Sequence, residues 1–223
     1  MPHSTIVFDL DGTLVETAPD LIATLNAVLA REGYAAVPFE EARKMIGGGV
    51  RHMLARALDR HGVALTPVEL DRLFADFIPH YAAHIADHSR PFPGLAQTLD
   101  CLAAQGDRLA VCTNKLEHLS VLLLERLGLA GRFAAICGQD TFGIAKPDPE
   151  LLRRTIARAG GSLQSAVMVG DSAADVAIAR AAGVPVIAVD FGYSDIPPLL
   201  LKADNVIGHF EELPAAVASL LGR

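Results

Sequence analysis

A parallel, doubly wound α/β sheet with an all-helical insertion is the fold class this sequence predicts. Two observations predict it. Five short apolar runs rich in β-branched residues alternate with helical patterns. One long stretch, residues 16–88, breaks that rhythm and carries only helix-compatible patterns.

The runs are Thr5–Phe8, Leu109–Cys112, Ala134–Cys137, Ala166–Val169 and Val186–Val189. Short apolar runs of this kind suit strands buried on both faces. Helical patterns fill the gaps at Gly94–Ala104, Leu116–Leu127, Pro149–Ala159 and Ala173–Ala182. Strands alternating with helices imply a parallel sheet covered on both sides. Gly106, Gly128, Gly160 and Gly183 follow these helices, where a left-handed residue closes the last turn. Within 16–88, helices are expected at Asp20–Glu32, Phe39–Ile46, Val50–His61 and Pro67–His88. Arg90-Pro91-Phe92-Pro93-Gly94 then returns the chain through a rigid turn. The expected division is a catalytic core of residues 1–15 and 89–223, with residues 16–88 as a helical cap domain.

Composition narrows the function. Hydrophobic residues make up 51% of the 223, enough for a sizeable core. The net charge is -7, which argues against a nucleic-acid backbone as partner. No apolar run approaches the ~18 residues needed to span a bilayer, so no membrane partner is expected. The N-terminus has no basic stretch followed by an apolar segment, so no signal peptide is expected. The three cysteines, Cys101, Cys112 and Cys137, form no CxxC pair. Reduced thiols and a cytoplasmic location follow as expectations. Cys112 and Cys137 sit in apolar runs and read as core residues.

In an open parallel sheet, ligands bind outside the carboxyl ends of the strands. Those ends carry Asp9 and Asp11, then Thr113-Asn114-Lys115, then Gly170-Asp171-Ser172 with Asp175 following. Lys146 lies in the loop Gly143–Pro149. Each residue alone has a plain structural use. An Asp-x-Asp is often a solvated turn, Thr113, Asp171 and Ser172 suit helix caps, and lysines are usually solvated. Their joint order at successive strand ends favours a site. The chemistry it suits is phosphoryl transfer. Asp9 can attack phosphorus to form an aspartyl-phosphate. Asp11 can serve as acid and then base, and crowding beside Asp9 would help keep it protonated. A Mg²⁺ ion on hard oxygens such as those of Asp9 and Asp171, with Lys146 nearby, would offset the repulsion between two anions. Gly12 permits a tight turn with free backbone N–H groups.

Asp9-Leu10-Asp11-Gly12-Thr13, Thr113, Lys146-Pro147 and Gly170-Asp171-Ser172-Ala173-Ala174-Asp175 together resemble the four motifs of the haloacid dehalogenase-like superfamily. The resemblance spans nearly the whole chain. It implies a Rossmann-like core with a helical cap inserted after the first motif. It implies Asp9 as nucleophile, Asp11 as acid/base, and Mg²⁺ held by Asp9, Asp171 and the Asp11 main-chain carbonyl. Thr113, Asn114 and Lys146 would hold the phosphoryl group, with Ser172 and Asp175 in support. Within the superfamily, Asp9–Asp20, Ile46–Gly49, Thr113–Lys115 and Lys146-Pro147 are most similar to the phosphoglycolate phosphatase family. That resemblance implies hydrolysis of a small phosphorylated metabolite, 2-phosphoglycolate. One departure is the triple glycine at 47–49, where Gly-Asn-Gly is expected in many relatives.

Gly47, Gly48 and Gly49 open a helix near Val50, where backbone N–H groups could read a substrate carboxylate. Arg51 and Arg43 are candidate charge partners for it. His80, His84 and His88 fall at i, i+4, i+8, a spacing that suits a metal or, more simply, a partly buried helix face. Lys44 raises Schiff-base chemistry, but enzymes of that kind lack an acid/base at the position of Asp11. Three readings stay open: a small-molecule phosphomonoesterase; a mutase, nucleotidase or pyrophosphatase on the same site; and a non-catalytic phosphate-binding domain.

Overall fold

The computed structural model describes residues 4–223, so residues 1–3 of the expected core and signal-peptide readings lie outside it. Its centre is a six-stranded parallel sheet of order β5-β4-β1-β6-β7-β8. The strands are β1 (Thr5–Phe8), β4 (Arg108–Cys112), β5 (Ala135–Cys137), β6 (Ala166–Gly170), β7 (Val186–Val189) and β8 (Asn205–Ile207). β1 lies centrally, with Phe8 in register with Val111 of β4 and Val169 of β6. Alternation along β1 sends Ile6 and Phe8 to one face and Val7 to the other, into separate hydrophobic clusters. Each fully buried side chain of this size stabilises the fold by about 1.5–3 kcal/mol.

Helices cover both faces. α7 (Pro149–Arg158) and α8 (Ala173–Ala182) bury Leu152, Ile156 and Ile178 against the Val7 side. α5 (Leu95–Ala104), α6 (Glu117–Arg126) and α9 (Leu213–Leu221) bury Leu99, Leu123 and Val217 against the Phe8 side. The sequence reading omitted β8 and α9. β8 has three residues and is half-buried, so it shows no apolar run, whereas α9 is apolar on most sides and shows no clear period.

The segment between Glu16 and Ser89 is helical: α1 (Ala18–Arg31), α2 (Phe39–Arg43), α3 (Val50–Asp59) and α4 (Pro67–Ala83). Its buried residues continue the Phe8-side cluster. The chain leaves and returns through a two-residue antiparallel pair, β2 (Val15–Glu16) with β3 (Arg90–Pro91), too short to read from sequence. Asp20, buried on α1, ties the return: it accepts from the His88 and Ser89 amides at 3.0 and 2.7 Å and from Ser89 Oγ at 2.6 Å. Asp20→Ala leaves these donors without partners and is expected to cost about 2–3 kcal/mol in urea denaturation. A loss under about 0.5 kcal/mol would show that water replaces the carboxylate there.

α4 ends at Ala83, five residues before the expected His88. His80 and His84 therefore do not share one helix face with His88. His84 pairs with Asp87, and His80 faces Arg31. Among the described residues no helix is long and apolar enough to cross a membrane.

Candidate active site

Asp9 follows β1 directly, and its amide donates to Val169 O at 2.9 Å, which fixes it beside the end of β6. The chain then turns at once: Leu14 and Val15 both donate to Leu10 O. Gly12 makes this possible at φ +83°, and a Cβ there would sit 2.6 Å from Asp171 Oδ2. The turn thus brings the first strand end against the third carboxylate.

Asp171 follows β6 directly, and its two oxygens accept from Thr13 Oγ1 at 3.0 Å and Tyr193 N at 2.7 Å. Ser172 caps α8 in a reciprocal box with Asp175. That box fixes Asp175. Its Oδ2 accepts from Asp171 N, Ser172 N and Ser172 Oγ, and its Oδ1 accepts from Lys146 Nζ at 2.7 Å. Lys146 reaches Asp9 Oδ1 at 2.8 Å as well. That second contact is an ion pair without hydrogen-bond direction, and the buried Asp9 Oδ1 has no hydrogen-bond partner. Asn114 holds the lysine's backbone: its Oδ1 accepts from Lys146 N at 2.7 Å, and its Nδ2 donates to Lys146 O at 3.4 Å.

Burial dominates the electrostatics. It pushes Asp9 up to about 6, with Lys146 opposing and Asp175 adding to the rise. It pushes Asp171 up to about 8, helped by Asp175 and Asp9. Burial works against the charge of Lys146, yet Asp175 and Asp9 overcome it and raise its pKa. Asp11 is paired with Lys115, whose Nζ lies 3.0 and 3.2 Å from its two oxygens.

A pocket of about 30 Å³ opens above these groups. Asp9, Asp11, Thr113, Asn114 and Lys115 line it from the sheet side, and Gly47, Gly49, Met53, Phe74 and Tyr81 from the helical side. Gly49 approaches the sheet closely: a Cβ on it would stand 3.4 Å from Asn114 O. Of the other residues expected here, Gly48 packs toward His52, and Arg51 pairs with Asp71 and lies over the Phe74 ring, outside the pocket. Asp71, one helix away, is the partner that Arg51 takes in this structure. Arg43 stacks on Tyr193 and pairs with Glu16 at 3.6 Å, also outside the pocket lining. Lys44 ends α2, and its carbonyl accepts from Arg56.

The sequence matches the family model of haloacid dehalogenase-like hydrolases over residues 6–189. The chain belongs to the haloacid dehalogenase-like hydrolase family. It is 47% identical to a phosphoglycolate phosphatase of Agrobacterium fabrum, over 95% of this chain and 91% of that one. It is 46% identical to a phosphoglycolate phosphatase of Mesorhizobium japonicum, over 100% of this chain and 98% of that one. Among solved structures, a predicted phosphoglycolate phosphatase from Haemophilus somnus superposes with a TM-score of 0.89 at 29% identity, covering 96% of this chain and 97% of that one.

The carboxylates of this haloacid dehalogenase-like hydrolase fit a divalent cation. Asp9, Asp171 and Asp175 are buried, with one oxygen of each within 4.8 Å of the others. Asp9 Oδ1 meets the Lys146 ammonium alone, at 2.8 Å, whereas Asp175 already accepts from four donors and suits a supporting part. The raised Asp9 and Asp171 carboxyls hold protons more tightly in the fold than the ordinary 3.8 of an unfolded chain. Their contribution to stability is full below that value and is lost as pH rises through about 6 and then about 8. Metal-free protein is therefore expected to melt at lower temperature at about pH 9 than at about pH 6, and Mg²⁺ to raise the melting point most at the higher pH. Thermal melts in EDTA and in Mg²⁺ check this. A Mg²⁺ shift that grew toward acid pH would contradict it.

Sequence reasoning gave Lys115 no role of its own and missed Tyr81 and Tyr193. Lys115 stands next to Thr113-Asn114 and had a visible signal. Tyr81 reads as one more apolar-face residue of α4. Tyr193 donates to Glu16 at 2.6 Å and accepts from Thr17 N at 2.6 Å, pairings across more than 170 positions that no local pattern reveals.

Proposed function

We propose that this chain hydrolyses 2-phosphoglycolate to glycolate and phosphate through an aspartyl-phosphate on Asp9, with residues 16–88 acting as a cap domain. It is a phosphatase of its family, a phosphoric monoester hydrolase. The observation that carries the mechanism is the buried Asp9 carboxylate, which lines the pocket and has the Lys146 ammonium 2.8 Å from its Oδ1. The substrate follows from relatives of that name, 46–47% identical over nearly the full chain.

Asp9 attacks phosphorus, and the bond from phosphorus to the ester oxygen breaks. Asp11 gives its proton to that oxygen as glycolate leaves, then takes one from the water that splits the aspartyl-phosphate. Lys146 and Thr113 hold the phosphoryl oxygens, and Asn114 positions Lys146. Asp9, Asp171 and the Asp11 main-chain carbonyl would hold Mg²⁺, which supplies charge neutralisation between the two anions. Free thiols at Cys101, Cys112 and Cys137 suit the reducing cytoplasm.

A phosphate-release screen over small phosphate esters with Mg²⁺ tests the reading. Release from 2-phosphoglycolate is expected to lead the screen and to stop in EDTA. Faster release from sugar phosphates, nucleotides or pyrophosphate would replace the substrate. Turnover unaffected by EDTA would remove the metal.

A further inference from the structure

Lys115 is the one cationic side chain among the residues that line the pocket. Lys146, the other buried lysine of the site, lies beneath, between Asp9 and Asp175. The Lys115 side chain is only 4% exposed. Its Nζ donates to both oxygens of Asp11 and, at 2.9 Å, to the Tyr81 hydroxyl, and it lies 4.5 Å over the Tyr81 ring. Tyr81 comes from α4, so this contact joins the helical side to the sheet side directly over the acid/base. The neighbouring walls are apolar, including Ile46, Val50, Met53 and Phe74.

These surroundings give a substrate's second anionic group a single countercharge. We propose that Lys115, oriented by Tyr81, binds the substrate carboxylate and selects phosphate esters that carry an anionic group one carbon from the ester oxygen. The inference rests on the phosphatase reading above. The spacing agrees with it. Asp11 must meet the ester oxygen to protonate it, and a carboxylate one carbon away then falls beside the ammonium that already contacts Asp11. Two of the three Lys115 contacts go to one carboxylate, so exchanging one of them for the substrate keeps both Asp11 and Tyr81 in place. A desolvated lysine in an apolar-walled pocket also discriminates, because a neutral analogue offers it no second anion in exchange for the Asp11 contact it gives up.

The test compares 2-phosphoglycolate with 2-hydroxyethyl phosphate, which has a neutral hydroxymethyl group in place of the carboxylate. Full-length wild-type protein with Mg²⁺ is expected to prefer 2-phosphoglycolate in kcat/KM by about 100-fold or more. Lys115→Met is expected to lose most of that ratio, with the larger loss on 2-phosphoglycolate, and Lys115→Arg to keep part of it. Tyr81→Phe retains the ring and removes one contact to the ammonium. Its ratio is expected to fall several-fold, which keeps the test decisive if Lys115→Met proves unfolded by circular dichroism. Equal losses on both esters in Lys115→Met, or an unchanged ratio in Tyr81→Phe, overturn the proposal. If wild-type protein releases phosphate from neither ester, the 2-phosphoglycolate reading fails and this inference with it. If it hydrolyses both without preference, this inference alone fails.

Discussion

Asp9→Asn is expected to lower kcat for phosphate release by at least ~10⁴-fold while leaving the fold intact. The substitution keeps the shape of the side chain and removes the nucleophilic oxygen. Its effect on stability is expected to be small or favourable in metal-free protein. Asp9 is buried among Asp171 and Asp175, and burial already pushes its carboxyl up to about 6. A neutral amide removes part of that repulsion, while Lys146 keeps Asp175 at 2.7 Å. Steady-state phosphate release and a thermal melt measure the two effects. Turnover within ~100-fold of wild type would exclude Asp9 as the nucleophile.

Lys146→Met is expected to damage both activity and stability. The ammonium is the cation between Asp9 and Asp175, at 2.8 and 2.7 Å, and its side chain is 1% exposed. Removing one partner of a buried ion pair leaves charge without compensation and costs about 3–5 kcal/mol. Activity should fall by at least ~10³-fold, because a preorganised charge on the transferring phosphoryl group is lost. The stability loss should shrink in acid, where the carboxyls take up protons, and Mg²⁺ should restore part of it without restoring turnover. Urea denaturation at two pH values, with and without Mg²⁺, reads these outcomes. A destabilisation under about 1 kcal/mol at neutral pH would mean that water reaches the carboxylates and replaces the lysine.

These two variants separate what each level of structure contributes. Asp9, Lys146 and Asp171 were legible because each ends a strand or precedes a helix, and such ends face one crevice whenever the strands run parallel. Asp175 was legible through its capping spacing to Ser172. The direction of Arg51 was not legible, because charge near a glycine loop says nothing about which way the side chain turns, and Asp71 on α4 offers it a partner. The expected helix through His88 ran too long, because α4 stops at Ala83. The β2–β3 pair escaped because two residues make no pattern.

The sequence by itself determined the parallel core, five of its six strands, the helical nature of 16–88 and the strand-end acids, since these depend on local periodicity and chain order. Tertiary structure alone decided what those acids meet. Lys115 beneath Tyr81, Tyr193 between Glu16 and Asp171, and Asp20 beneath Ser89 join residues 34, 177 and 69 positions apart in their hydrogen bonds. Such pairs have no period to read, because they form only after burial removes water and leaves each polar group to find a partner within reach.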